Sequence, residues 1–118
     1  MYAINERPNI TEAHSVEDGY MTRTLCLVDG MPAQVEITVD HSHRQKYSRF
    51  SITVFDPIRM EWNHIADMRP EEVGRMPMLH DEAVTLAKLN EIAGNLYDMA
   101  TVIVRAARQR QEDLDINT

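Results

Sequence analysis

The chain has 118 residues, a net charge of −7, a hydrophobic content of 43% and a single cysteine, Cys26. This length supports one hydrophobic core but not two, and the lone cysteine excludes an internal disulfide and a cysteine-based zinc site, which indicates a reducing compartment. The chain does not open with a basic segment and an apolar run, no apolar stretch approaches the roughly 20 residues that span a bilayer, and the acidic balance argues against general nucleic-acid binding. We therefore expect one cytoplasmic domain without membrane contact.

The first 19 residues differ from the rest of the chain. Their apolar positions, Ile4, Ile10 and Val16, follow neither helix nor strand spacing. We predict an N-terminal arm over residues 1–19, ordered only where it docks on a neighbouring chain. A single α+β domain should follow over residues 20–118.

The middle of the chain predicts a four-stranded antiparallel meander. Two segments alternate apolar and polar residues, the period-two pattern of strands with one solvated face. A strand pattern before them turns at Asp29 and Gly30, and one after them follows a turn with Pro57 in its preferred second position. Adjacent antiparallel strands need only such tight turns. The predicted strands cover approximately residues 20–28, 34–40, 49–54 and 60–66.

A short helical turn and one long helix complete the predicted fold. Pro70, followed by Glu71 and Glu72, is typical of a helix start, and Gly74 can end this turn. The long helix should run from about Asp81 to Gln111 and cover one face of the sheet. We expect Val35, Ile37, Val39, Phe50, Ile52 and Val54 to pack against Leu89, Leu96 and Ile103.

The long helix carries more apolar surface than one sheet requires. One seam follows three-four steps from Leu86 to Ala107, and a second row beside it contains Ile92, Met99 and Val102. At about 1.5 Å per residue the helix spans roughly 46 Å, longer than the roughly 35 Å expected for a compact chain of this size. Both features predict a homodimer through the helix, and symmetric dimers are common. Alternatively, the seam alanines simply fit beneath a twisted sheet. The predicted interface residues are Ala93, Leu96, Met99, Ala100, Ile103 and Ala107.

Two groups of side chains are candidates for a functional site. His41 and His43 lie on one side of an extended segment, but zinc normally takes three or four protein ligands, so we expect no metal and a solvated loop. Trp62 and His64 share one face of the last predicted strand, and with Phe55 they could form an exposed patch that anchors a protein partner. If that face points inward, Trp62 is a core residue instead.

Catalytic signatures are missing from the sequence. The four glycines are well separated and form no phosphate-binding loop, and no catalytic motif that we recognise is present. Two basic islands, residues 41–49 and 105–111, would support nucleic-acid contact only if both lay on one face. We therefore expect a non-enzymatic, acidic homodimer that binds another macromolecule, without a cofactor. The alternative is a small enzyme or ligand-binding domain whose pocket, between sheet and helix, uses His64 or His41 and His43.

Overall fold

A computed structural model describes residues 5–42 and 47–116 of the chain, without the side chain of Ile116. It confirms an α+β fold in which an antiparallel meander packs against one long C-terminal helix. The sheet has five strands in the order β1-β2-β3-β4-β5, one more than predicted. The elements are β1 His14–Val16, β2 Gly19–Val28, β3 Met31–Asp40, β4 Arg49–Asp56, β5 Glu61–Met68, α1 Pro70–Val73 and α2 Glu82–Ile116.

The hairpin between β2 and β3 follows directly from two residues. Val28 pairs with Met31, so the loop consists of Asp29 and Gly30 alone. Both have positive φ, 51° and 83°, as the primed turns of two-residue hairpins require, and Asp-Gly is a preferred sequence for them. The Asp29 carboxylate also contacts Arg105, at 3.7 Å, and Arg108 of α2. This hairpin is therefore attached to the helix.

The core lies between one sheet face and α2. The six strand residues predicted for the core are all buried, and so are Leu89 and Leu96. Ile103 is not, since 44% of it is exposed, and Val104 takes its place in the core. A seam with a strict repeat of seven drifts about 20° per heptad around a straight helix. By the third heptad the seam has rotated away from the sheet.

The described part of the N-terminal arm, residues 5–19, packs on its own chain, which corrects the expectation that it needs a neighbour; residues 1–4 lie outside the described residues. Ile10 is buried in the core, and the Leu27 N–H donates to the Glu6 carbonyl at 3.0 Å. The Thr22 hydroxyl donates to the Glu12 carbonyl at 2.8 Å. Residues 6–12 thus follow the edge of β2, and the chain then continues into β1, which pairs with the start of β2.

The long helix extends five residues beyond its predicted end. No proline interrupts it, and Gln109 and Gln111 donate side-chain hydrogen bonds to Asp113 and Asp115, each one turn further on. At about 1.5 Å per residue it measures roughly 52 Å, which accounts for most of the 56 Å long axis of the molecule. All residues from 105 to 115 are exposed. Within the described residues, no helix is both long and apolar enough to cross a membrane.

Candidate functional site

The sheet face turned away from α2 carries an exposed aromatic pair. Phe55 and Trp62 are register partners on β4 and β5, and their ring centroids lie 5.4 Å apart at an interplanar angle of 51°. Trp62 is 49% exposed. Val54 and Asn63, the adjacent register pair, point to the helix side, because successive side chains in a strand point to opposite faces. Trp62 is therefore not a core residue, and the alternative interpretation from the sequence is wrong.

Aliphatic residues of the neighbouring strands extend this pair into a patch. Leu27 pairs with Pro32, and the pairing of Ala33 with Val54 places Pro32 level with Phe55. Leu25 is two residues before Leu27 on the same face, and it is exposed. We call Leu25, Leu27, Pro32, Phe55 and Trp62 the aromatic patch. A contiguous apolar surface of this kind commonly marks an interaction site.

Polar side chains occupy the rest of the same sheet face. Arg23 and Glu36 form an ion pair of 3.2 Å across β2 and β3. His64 lies 3.2 Å from Asp67, with both side chains largely exposed. Gln34 and Thr53 lie in one row across the sheet, with Leu25 of the patch at one end and His64 at the other. The patch thus has a polar border on this side, the usual arrangement of an interface with an apolar centre and a polar rim.

The position of His64 does not fit the predicted enzyme pocket. The pocket was expected between the sheet and the helix, whereas His64 is on the opposite face, level with Thr53. His64 and Asp67 line a separate cavity of about 350 Å³ on that face, together with Arg49 and Ser51. Both side chains of the pair are more than half exposed, whereas a general acid or base is usually tuned by burial. The His64–Asp67 pair is therefore better described as part of the border of the aromatic patch.

His41 lies in a different place, at the open end of the sheet near β1. Its ring centroid is 5.5 Å from that of Tyr20, and its Nε2 atom is buried without a hydrogen-bond partner among the described residues. The Tyr20 hydroxyl donates to the Pro77 carbonyl at 2.7 Å, and burial raises the pKa of Tyr20 to about 12. A cavity of about 470 Å³ adjoins both rings, and Asp18, Ser42, Met78 and His80 also line it. His43 lies outside the described residues.

The predicted dimer interface divides into two sets. Ala93, Leu96 and Ala100 are buried completely within one chain, so they present no surface to a second copy and the predicted interface is corrected for these three. The small side chains let α2 approach the sheet closely, which was the alternative explanation. Met99, Ile103 and Ala107 remain exposed, and these three are still available to a partner.

The remaining candidates offer little chemistry. Among the described residues, no group of three or more histidine, cysteine or carboxylate side chains could hold a metal ion. Cys26 is buried, and burial raises the pKa of its thiol to about 11, so the reactive thiolate is scarce at neutral pH. In the first basic island, residues 43–46 lie outside the described residues. In the second, Arg105 and Arg108 both contact the carboxylate of Asp29.

Sequence reasoning missed three members of the aromatic patch, Leu25, Leu27 and Pro32. The signal was present, because Leu25 and Leu27 alternate with Cys26 and Val28, so that one pair must face away from the core. The His41 Nε2 atom, which has no hydrogen-bond partner among the described residues, left no such signal, since its burial beside Tyr20 is a tertiary contact. Comparisons with known proteins add no further indication: no protein-family model matches the chain, and neither does a curated protein or a solved structure.

Proposed function

We propose that this chain is a non-enzymatic binding module that engages a partner protein through the aromatic patch. The observation that carries the proposal is the position of Trp62, half-exposed and paired with Phe55 on the sheet face that the described part of the chain leaves uncovered. Tryptophan is among the residues most enriched in the energetic centres of protein interfaces. The chain keeps such a side chain at the surface although the core lies on the other face of the same sheet.

The composition of the patch favours a protein over the other classes of partner. Rigid aromatic and aliphatic side chains bury apolar area with little loss of conformational entropy. Nucleic acid would require a basic surface, whereas the net charge here is −7. Arg23, Glu36, His64 and Asp67 form a border of mixed charge, which would orient a partner and exclude badly matched ones.

The test compares three variants as bait in an affinity capture from the native host, followed by binding measurements on the captured protein. Trp62→Ala and Leu25→Ala remove patch side chains, and Val84→Ala is the matched control, because Val84 is an equally exposed aliphatic residue at the start of α2. We expect Trp62→Ala to weaken binding roughly 30-fold or more, the effect of losing about 2 kcal/mol at an interface centre. A partner that binds all three variants equally well would refute the proposal.

A second function, binding of a small molecule, is supported by the cavity beside His41. A buried imidazole nitrogen without a partner is costly, and a ligand that forms a hydrogen bond with Nε2 would remove that cost. Tyr20 and Met78 supply apolar walls, so the fitting class is a compact molecule with an apolar body and one polar group. A fragment screen by nuclear magnetic resonance tests this. Saturable binders should shift the His41 ring signals and lose affinity for the His41→Ala variant. They should keep their affinity for His14→Ala, which alters an exposed histidine. If the screen finds no such binder, this second function is contradicted.

A further inference from the structure

A second apolar surface lies on the helix side of the sheet and borders the aromatic patch at Phe55, which also lines it. It is a groove of about 380 Å³ between α2 and the turn that joins β4 to β5. Its walls include Ile58 of the turn, Ile65 of β5, and Ile103 and Ala107 of α2. Ile58 is 92% exposed and Ile103 is 44% exposed, so no described part of the chain fills the groove. We call it the helix groove.

The end of α2 continues from the wall of this groove, and the contacts of Arg105 and Arg108 with Asp29 hold the first of its turns. Residues 105–115 form three further turns, all exposed, and helical segments of this length are marginal in water unless an apolar face is packed. Leu114 is the large aliphatic residue of the segment and is 58% exposed. It lies on the same helix face as Ile103 and Ala107, since these positions are separated by four and seven residues. The apolar line of the groove thus continues onto the projecting turns.

Charge along the projecting turns changes sign. Arg105 and Arg108 come first, and both contact the single carboxylate of Asp29. These three side chains together therefore carry a net charge of about +1. Glu112 and Asp115 follow on the last turns. The segment therefore has a basic half beside the groove and an acidic half at its tip. Two such segments complement each other only when they run antiparallel.

We propose that a second copy of this chain occupies the helix groove, with the projecting turns of the two α2 helices packed antiparallel. A two-fold axis between Arg110 and Gln111 places Leu114 of each chain level with Ala107 of the other, at the mouth of its groove. The same axis brings Glu112 within one residue of the partner position of Arg108, and Asp115 within one residue of that of Arg105, about 1.5 Å along the helix axis. One chain supplies both the apolar groove and the matching segment, as a symmetric interface requires.

This arrangement differs from the dimer expected from the sequence. The interface predicted from the sequence included Ala93 and Ala100, and these positions are blocked because both residues are completely buried within their own chain. The new axis lies beyond the sheet, where the backbone of α2 is accessible. Phe55 is the member of the aromatic patch that also lines the groove. Leu25, Leu27, Pro32 and Trp62 do not line it, so each chain of the dimer keeps these four side chains for its own partner. The dimer and the proposed protein binding can therefore be tested separately.

The first experiment measures mass in solution by sedimentation equilibrium over a micromolar concentration range. The unmodified chain should form a dimer, and Leu114→Glu should raise the dimer dissociation constant at least tenfold, because it places a charge against an apolar groove. Val84→Glu is the matched control, since Val84 is on the same helix, is 52% exposed and adds the same charge. Circular dichroism verifies that each variant is folded. A monomeric unmodified chain, or equal dimers for both variants, would overturn the proposal.

The second experiment exchanges the charges and does not depend on apolar contacts. One variant carries Arg105→Glu and Arg108→Glu, and the other carries Glu112→Arg and Asp115→Arg. Each alone should be monomeric, because like charges then meet at both ends of the two-fold contact. Mixed together they should form a heterodimer, since both contacts regain opposite charges. Loss of the bonds to Asp29 cannot produce this recovery, and a mixture that remains monomeric would contradict the proposed antiparallel packing.

Discussion

The side chain of Asn90 makes two hydrogen bonds with the main chain of Ile10. Asn90 Oδ1 accepts from the Ile10 N–H at 2.8 Å, and Asn90 Nδ2 donates to the Ile10 carbonyl at 2.9 Å. Both main-chain groups of a core residue are thereby satisfied by one helical side chain, as a neighbouring strand would satisfy them. This contact explains how an arm without a periodic pattern is held against α2.

Replacing Asn90 by Leu should loosen the arm. The substitution leaves the N–H and carbonyl of Ile10 unpaired in a partly buried site, which costs about 1–3 kcal/mol. Urea denaturation measures this loss, and hydrogen exchange should show faster exchange of the Ile10 amide. Asn95→Leu, on the exposed side of the same helix, serves as the control. Unchanged protection of Ile10 in Asn90→Leu would show that other contacts hold the arm.

The core prediction compares two isoleucines with opposite environments. Ile52 is completely buried, and Ile52→Ala should reduce the free energy of unfolding by about 2–5 kcal/mol through lost burial and the cavity left behind. Ile58→Ala removes the same atoms from an exposed turn. Measured in the Leu114→Glu background, where the helix groove is expected to be unoccupied, it should change the free energy of unfolding by no more than about 0.5 kcal/mol. The measurement is again urea denaturation. Similar values for both variants would contradict the sheet packing.

Two glycines should respond in opposite directions to substitution by alanine. A Cβ atom at Gly19 would lie 1.8 Å from the Val39 carbonyl oxygen, in the backbone of the neighbouring strand, whereas at Gly94 the nearest atom, at 3.5 Å, is the end of the Arg7 side chain. Gly19→Ala should therefore lower the thermal midpoint strongly or prevent folding. Gly94→Ala should stabilise α2 by about 1 kcal/mol, because alanine is the better helix former. An unaffected Gly19→Ala protein would disprove the close β2–β3 approach.

The single tryptophan reports directly on the aromatic patch. Because Trp62 is half-exposed, its fluorescence should be accessible to acrylamide, and its emission should lie to the red of that of a buried indole. Addition of the captured partner should shift the emission to the blue and reduce the quenching constant. The Leu114→Glu variant should give the same spectrum as the unmodified chain, since Trp62 does not line the helix groove. Inaccessible Trp62 in the isolated protein would contradict the described sheet face.

Stability should fall at alkaline pH because of two buried groups. Burial raises the pKa of Cys26 from 9.0 to about 11 and that of Tyr20 from 10.0 to about 12. Between these values the unfolded chain loses protons that the folded chain retains, so the unfolded state gains stability as the pH rises. The stability that comes from keeping these two groups protonated is fully present below pH 9 and is lost progressively up to about pH 12. Denaturation midpoints measured from pH 8 to 11 should decline less steeply for Cys26→Ala than for the unmodified chain.

Part of the candidate site was visible in the sequence, and its limits have a physical cause. Period-two spacing correctly placed Trp62 and His64 on one face, but it did not show which face was buried. Neither side of β5 is uniformly apolar, and the register shift opposite Ile52 and Thr53 leaves Ile65 as an extra residue. An edge strand with such a bulge loses the clear alternation that assigns its faces. The aromatic patch could be assigned only once β4 had fixed the orientation of β5.

What the sequence determined by itself was local. The positive-φ turn at Asp29 and Gly30, the alternation in β3 and β4, and the uninterrupted helix after Pro77 depend on backbone sterics and side-chain period, which act within a few residues. The tertiary structure decided which helix face was covered. It buried Ala93 and Ala100, left Ile103 at the edge and extended Leu114 beyond the sheet, because a rigid helix and a twisted sheet of different length cannot match along their whole extent.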